Sequence, residues 1–102
     1  MAIAAVSIAP VGAGTSVSHY VAEALRVVGS QDRVAYRLDP MFTTLEGDLG
    51  EIFDLILKME EAVFAQGAER VGTVIKVDDR RDRPVTMREK VEAVERRLAD
   101  NS

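Results

Sequence analysis

The sequence predicts an α+β fold: a four-stranded antiparallel sheet with two helices on one face and a third helix at the C-terminus. Three observations predict it. Four stretches, 2–9, 33–38, 41–46 and 69–77, are rich in β-branched residues or alternate in polarity, as strands do. Three others carry apolar residues at helical spacing. Their order along the chain is β-α-β-β-α-β, followed by the last helix.

Taken in order, Ala2 to Ala9 is a short apolar run closed by Pro10, Gly12 and Gly14. It is apolar or small on both faces, so both faces need cover. Thr15 or Ser16 is placed to cap a helix whose stripe is Val17, Val21, Leu25 and Val28, with Gly29 ending it. Arg33 to Leu38 alternates, with Val34, Tyr36 and Leu38 on one face. Asp39-Pro40 turns the chain into Met41 to Glu46, so strands two and three form a hairpin. Asp48 followed by Glu51 reads as a capping box. Leu49, Ile52, Phe53, Ile56, Met59, Val63 and Phe64 form the stripe of a helix that stops at Gly67. After the fourth strand, Thr86 and Glu89 make a second capping box. Met87, Val91, Val94 and Leu98 form the stripe of the third helix, with Glu92 and Arg96 paired on its solvent side and a fraying tail at 100–102.

This order is the split βαβ, ferredoxin-like arrangement, expected as one domain over 1–102. Right-handed crossovers place both main helices on one face of the sheet. The other face then carries Ile3, Ala5, Ser7, Ala35, Phe42, Thr44, Gly72 and Val74, with Glu46 and Lys76 among them. That surface is too apolar for water, which predicts sheet packing between copies of the chain.

Composition narrows the function. Net charge is −4, from 13 basic and 17 acidic residues, which argues against broad nucleic-acid binding. There is no cysteine, hence no disulfide framework or thiolate chemistry. The first residues lack a positively charged n-region, and no apolar run approaches the about 20 residues of a membrane span. A soluble, cytoplasmic protein is expected.

The candidate groups sit in three places. Gly12 to Ser16 offers backbone N–H groups at a helix start but lacks the lysine of a phosphate loop, so a capped helix entry competes with ligand contact. Glu46 ends a strand bearing Thr43 and Thr44 and needs a partner if buried, either Lys76 or a ligand nitrogen. The fourth strand empties into Asp78-Asp79-Arg80-Arg81-Asp82-Arg83, six charges that sum to zero. These suit a charge network better than a metal site, since no histidine adjoins them. His19, the sole histidine, lies off its helix stripe. No nucleophile with its base is legible, so no catalytic residue and no metal ligand is expected.

Three of these stretches together resemble the thiamine-binding protein family of small ferredoxin-like proteins, the YkoF-like group. They are Gly14-Thr15-Ser16-Val17-Ser18-His19-Tyr20-Val21-Ala22, Pro40-Met41-Phe42-Thr43-Thr44-Leu45-Glu46-Gly47 and Lys76-Val77-Asp78-Asp79-Arg80-Arg81-Asp82. The resemblance covers nearly the whole chain. It implies the ferredoxin-like fold, a homodimer or homotetramer assembled through the sheets, and binding of thiamine or its hydroxymethylpyrimidine part without catalysis and without a separate cofactor. It places the ligand contacts among Thr15, Ser16, Met41, Thr43, Thr44, Glu46, Lys76, Asp78 and Arg80. Glu46 would accept from the aminopyrimidine, Thr15 or Ser16 and Thr43 would add hydrogen bonds, and Asp78 and Arg80 would hold the site or the interface together. The competing reading is a regulatory or assembly module that uses the sheet as a protein–protein surface and takes no small ligand.

Overall fold

Strict alternation along the first strand sets the layers of this protein, whose computed structural model describes residues 1–15 and 17–100. The elements are β1 (Ala2–Pro10), α1 (Ser18–Gly29), β2 (Ala35–Leu38), β3 (Thr43–Gly47), α2 (Leu49–Ala65), β4 (Val71–Asp79) and α3 (Met87–Asp100). Ala2, Ala4, Val6, Ile8 and Pro10 of β1 are buried, while the residues between them are half-buried. The sheet order is β2-β3-β1-β4, antiparallel throughout. Register carries the β1 alternation across: Ala4 faces Leu45 and Val77, and Val6 faces Thr43 and Ile75. Ala24 and Val28 of α1 and Ile52, Ile56, Met59 and Val63 of α2 join this face in one core. The architecture is the expected ferredoxin-like fold with a terminal helix.

Local signals act where the sequence places them at both later helices. Asp48 Oδ2 accepts from the Glu51 N–H at 3.1 Å and Thr86 Oγ1 from the Glu89 N–H at 3.1 Å, each occupying an orphan first-turn donor. Gly67, at φ +101°, takes a backbone conformation that a side chain would strain and so ends α2. The first helix differs from expectation. Its N-cap is Val17 with no side-chain bond, so Thr15 does not cap it, and Ser16 lies outside the described residues. The tail expected to fray falls partly on 101–102, which are likewise outside them.

Strand limits shift by about two residues. Met41 and Phe42 belong to the hairpin connection, because β3 starts only at Thr43. Phe42 therefore leaves the open face on which alternation put it. β4 runs on to Asp79, since Ala2 and Ile3 of β1 still offer backbone partners to Asp79 and Asp78. On α3 the ion pair is Arg88 with Glu92, at 2.8 Å, rather than Glu92 with Arg96.

Two apolar stripes are not where periodicity suggests. Phe53 and Phe64 of α2 are exposed, together with Leu57, on the flank beside β4. On α3 no residue is buried, and Val91, Val94 and Leu98 are 43%, 59% and 67% exposed. The helix stands off the body: the radius of gyration is 15.3 Å, against about 13 Å for a compact domain of 100 residues.

Candidate functional site

A cleft of about 230 Å³ opens at the end of the sheet where the β2–β3 connection meets the start of α1. Val6, Ile8, Val17, Val21, Met41 and Phe42 give it apolar walls. Its shape follows from local sequence. Pro40 removes a ladder donor and turns the chain, which carries Met41 and Phe42 out of the strand and onto the rim. Thr43 then enters β3 with its side chain on the helix side, opposite Val6. It is the buried polar residue among those described, 5% exposed; it lines the cleft, and its side chain has no hydrogen bond to any described residue. No buried side-chain oxygen or nitrogen among the described residues lacks a partner, so the unpaired Thr43 hydroxyl keeps access to solvent and is free to bond a ligand in the cleft. Thr15, in the segment entering α1, is exposed.

The second set lies on the opposite face. Strand neighbours point to opposite sides, so Thr44 and Glu46 face away from Thr43. Rows across the sheet bring Glu46, Ile3 and Asp78 side by side, and next to them Thr44, Ala5 and Lys76. One small ligand therefore does not touch Thr43 and Glu46 of the same protomer. The Glu46 carboxylate is committed to α3: its Oε1 accepts from the Met87 N–H at 2.6 Å, a negative charge at the positive end of a helix. Lys90 of α3 pairs with Asp78. This hydrogen bond and the Lys90 charge hold the Asp78 carboxyl below its ordinary value. Lys76 is exposed and is not the partner of Glu46. Two carboxylates of one row thus fasten α3 across the end of the open face. Periodicity gave no sign of the Glu46–Met87 contact, which joins positions 41 apart.

The third set, including Arg80, lies beyond β4 around a polar hollow of about 440 Å³ lined by Met1, Asp48, Leu49 and 79–84. Its charges pair within the loop. Arg80 donates Nε and Nη2 to the two oxygens of Asp82, at 2.5 and 2.8 Å, and Arg81 pairs with Asp79 at 3.0 Å. This is the charge network the sequence suggested. The fork from Arg80 pulls the Asp82 carboxyl down to about 2, and Asp82 raises the Arg80 guanidinium in turn. A depressed carboxylate adds stability above its unfolded value, near 3.9, and loses it as pH falls through the folded value. Carboxyl NMR should therefore find Asp82 still ionised at pH 3 and titrating near pH 2, whereas Arg80→Ala should return it to the ordinary range.

His19 is exposed, and its ring lies 3.9 Å from that of Tyr20, centroid to centroid. No helix among the described residues is long and apolar enough to cross a membrane.

Comparison with known proteins gives the same family from sequence and fold. A UPF0045 protein from the glkA 3′ region of Staphylococcus xylosus is 45% identical over 98% of this chain and 97% of its own. The UPF0045 protein YqgV of Bacillus subtilis is 42% identical over 96% and 98%. The crystal structure of the hypothetical protein MJ1052 of Methanocaldococcus jannaschii superposes with a TM-score of 0.84 at 36% identity, covering 92% of this chain and 95% of that one. The family model described as "Thiamine-binding protein" matches residues 4–95, and the chain belongs to that family.

Proposed function

We propose that this is a non-catalytic, cytoplasmic protein that binds thiamine or its hydroxymethylpyrimidine part, seating the pyrimidine ring in the Met41–Thr43 cleft. The observation that carries this is Thr43, a residue 5% exposed that lines an apolar cleft and whose side chain has no hydrogen-bond partner among the described residues. The cleft is below the about 300–1,000 Å³ of sites for drug-sized ligands, which suits one ring rather than a two-ring molecule. Met41 and Phe42 offer apolar contact to the flat ring and Thr43 a directional hydrogen bond. The other ring of thiamine, with its charge, extends into solvent. Membership of the thiamine-binding family supports the ligand class.

A second placement rests on Thr44, Glu46, Lys76 and Asp78, with the Glu46 carboxylate as acceptor for the aminopyrimidine. A ligand there would compete with Met87 for that carboxylate. Homo-oligomerisation through the open sheet face, as a dimer or tetramer, accompanies either placement, because Ile3, Ala5 and Val74 share that face.

Calorimetry and thermal shift separate the readings. Thiamine or hydroxymethylpyrimidine should raise the melting temperature where choline does not. A flat response to both would sink the binding reading and favour the assembly module. Thr43→Val should weaken binding about tenfold, roughly one charge-free hydrogen bond, while leaving the unliganded protein as stable or more so. Loss of affinity in Glu46→Gln with none in Thr43→Val would move the site to the open face.

A further inference from the structure

We propose that Asp39 is the counter-ion of the cleft: its carboxylate at the mouth selects a ligand that carries a permanent positive charge, so the protein binds thiamine in preference to the neutral hydroxymethylpyrimidine. This rests on the Met41–Thr43 cleft being the ligand site, and it concerns what that cleft prefers.

Among the described residues that line the cleft, Asp39 alone is charged. The lining is graded in depth. Thr43 is 5% exposed, the Asp39 side chain 39% and Met41 80%. The hydrogen-bonding group for the inner ring is therefore deep, and the charge stands at the entrance. The two rings of thiamine are joined by one methylene, so a pyrimidine seated at Thr43 leaves the charged ring emerging into solvent past Asp39. The hairpin holds Asp39 in that position. Its N–H donates to the Phe42 carbonyl at 3.0 Å, which closes the connection around Pro40 and Met41. Pro40 fixes its own φ and biases the residue before it toward extended backbone, so Asp39 has little freedom to swing away.

The Asp39 carboxylate is loosely engaged by its own chain. Arg37 Nε stands 3.3 Å from Asp39 Oδ1, the longest ion pair among the described residues, and no described residue donates a hydrogen bond to this carboxylate. Glu46, Asp79 and Asp82, by contrast, each accept one or more. Arg37 comes from the other side of the sheet: its register partner is Thr44, so it shares the open face, and it does not line the cleft. A quaternary nitrogen donates no hydrogen bond. Its attraction to a carboxylate is Coulombic and asks for proximity rather than a shaped acceptor, which a loosely held acid supplies. The neutral pyrimidine alone gains nothing from it. Because Asp39 is partly exposed, the attraction is that of a solvent-screened pair, a preference of about fivefold.

Calorimetry of the full chain at pH 8, where the pyrimidine is neutral, tests this with thiamine and hydroxymethylpyrimidine as separate titrants. The wild type should bind thiamine about fivefold more tightly. Asp39→Asn keeps the side-chain shape and the backbone bond to Phe42, and it should weaken thiamine about fivefold while leaving hydroxymethylpyrimidine within about twofold. Arg37→Gln removes the competing cation and should act in the opposite sense, tightening thiamine about twofold. A hairpin that only supported the fold would not give opposite signs. Raising NaCl to about 0.5 M should shrink the thiamine preference of the wild type and leave Asp39→Asn unchanged. Equal wild-type affinity for the two titrants, an equal loss of both in Asp39→Asn, or thiamine binding unchanged in that variant would each overturn the proposal and leave the cleft standing on the result of Thr43→Val. Binding of neither titrant, or binding that Thr43→Val does not weaken, would overturn the cleft as the ligand site and this inference with it.

Discussion

Leu45→Ala is expected to lower the unfolding free energy by about 3 kcal/mol, within the 2–5 kcal/mol typical of such truncations. Leu45 is fully buried in β3, between Tyr36 of β2 and Ala4 of β1. Two features keep the cavity from collapsing. The neighbour on β1 is already alanine, with no side chain to swing into the space. The helices above are held by Ile52 and Val63, both fully buried. A domain of this size has only about 5–15 kcal/mol in all, so the variant stands near the edge of folding. Urea denaturation reads the effect as a lower midpoint with an unchanged slope, because the surface exposed on unfolding hardly changes. Leu45→Met, which conserves volume, should stay within about 1.5 kcal/mol of wild type. A loss below 1 kcal/mol in Leu45→Ala would mean that the sheet and helices are not packed as one core.

What the chain reveals before folding is governed by how far its interactions reach. The two capping boxes, Asp48 with Glu51 and Thr86 with Glu89, are legible because both partners lie within one helical turn. The alternation of β1 is legible because burial on one face repeats every second residue. Periodicity is blind to what lies beyond the element. Phe53 and Phe64 belong to the apolar arc of α2, yet they fall on a flank that the chain's own sheet does not reach. The α3 stripe is a sound amphipathic pattern of which the described residues fully bury no member. The site shows the same limit. Thr43, Thr44 and Glu46 stand together in sequence, but strand geometry divides them between two faces, and Glu46 finds its donor 41 positions away.

Gln31→Ala is expected to destabilise the fold by about 2–3 kcal/mol, more than any other polar substitution outside the core. The connection from α1 to β2 is a polar segment without regular structure, and one side chain organises it. Gln31 Nε2 donates to the Val28 and Val34 carbonyls, at 2.8 and 2.9 Å, and Oε1 accepts from the Arg33 and Val34 N–H groups, at 2.9 and 2.8 Å. Both donors and both acceptor positions of the amide are used. Val28 and Val34 are buried core residues, so the freed carbonyls and N–H groups have restricted access to water. Each net bond is worth about 0.5–1.5 kcal/mol, and unpaired groups near the core raise the loss. Nothing in the spacing of Val28, Gln31 and Val34 announces this clip, because it exists only once the turn has formed. Gln31→Glu separates hydrogen bonding from loss of packing. The introduced carboxyl keeps the two acceptor bonds, but when ionised it faces two carbonyls, so its folded-state pKa rises above the usual value near 4.3. For a group shifted that way, stability is present below the unfolded pKa and is lost as pH rises through the folded one. The deficit of Gln31→Glu relative to wild type should thus be largest at pH 7 and shrink towards pH 4, whereas that of Gln31→Ala should not change with pH. Parallel urea titrations at the two pH values read the difference, and a pH-independent deficit in both variants would show that the amide protons do not hold the turn.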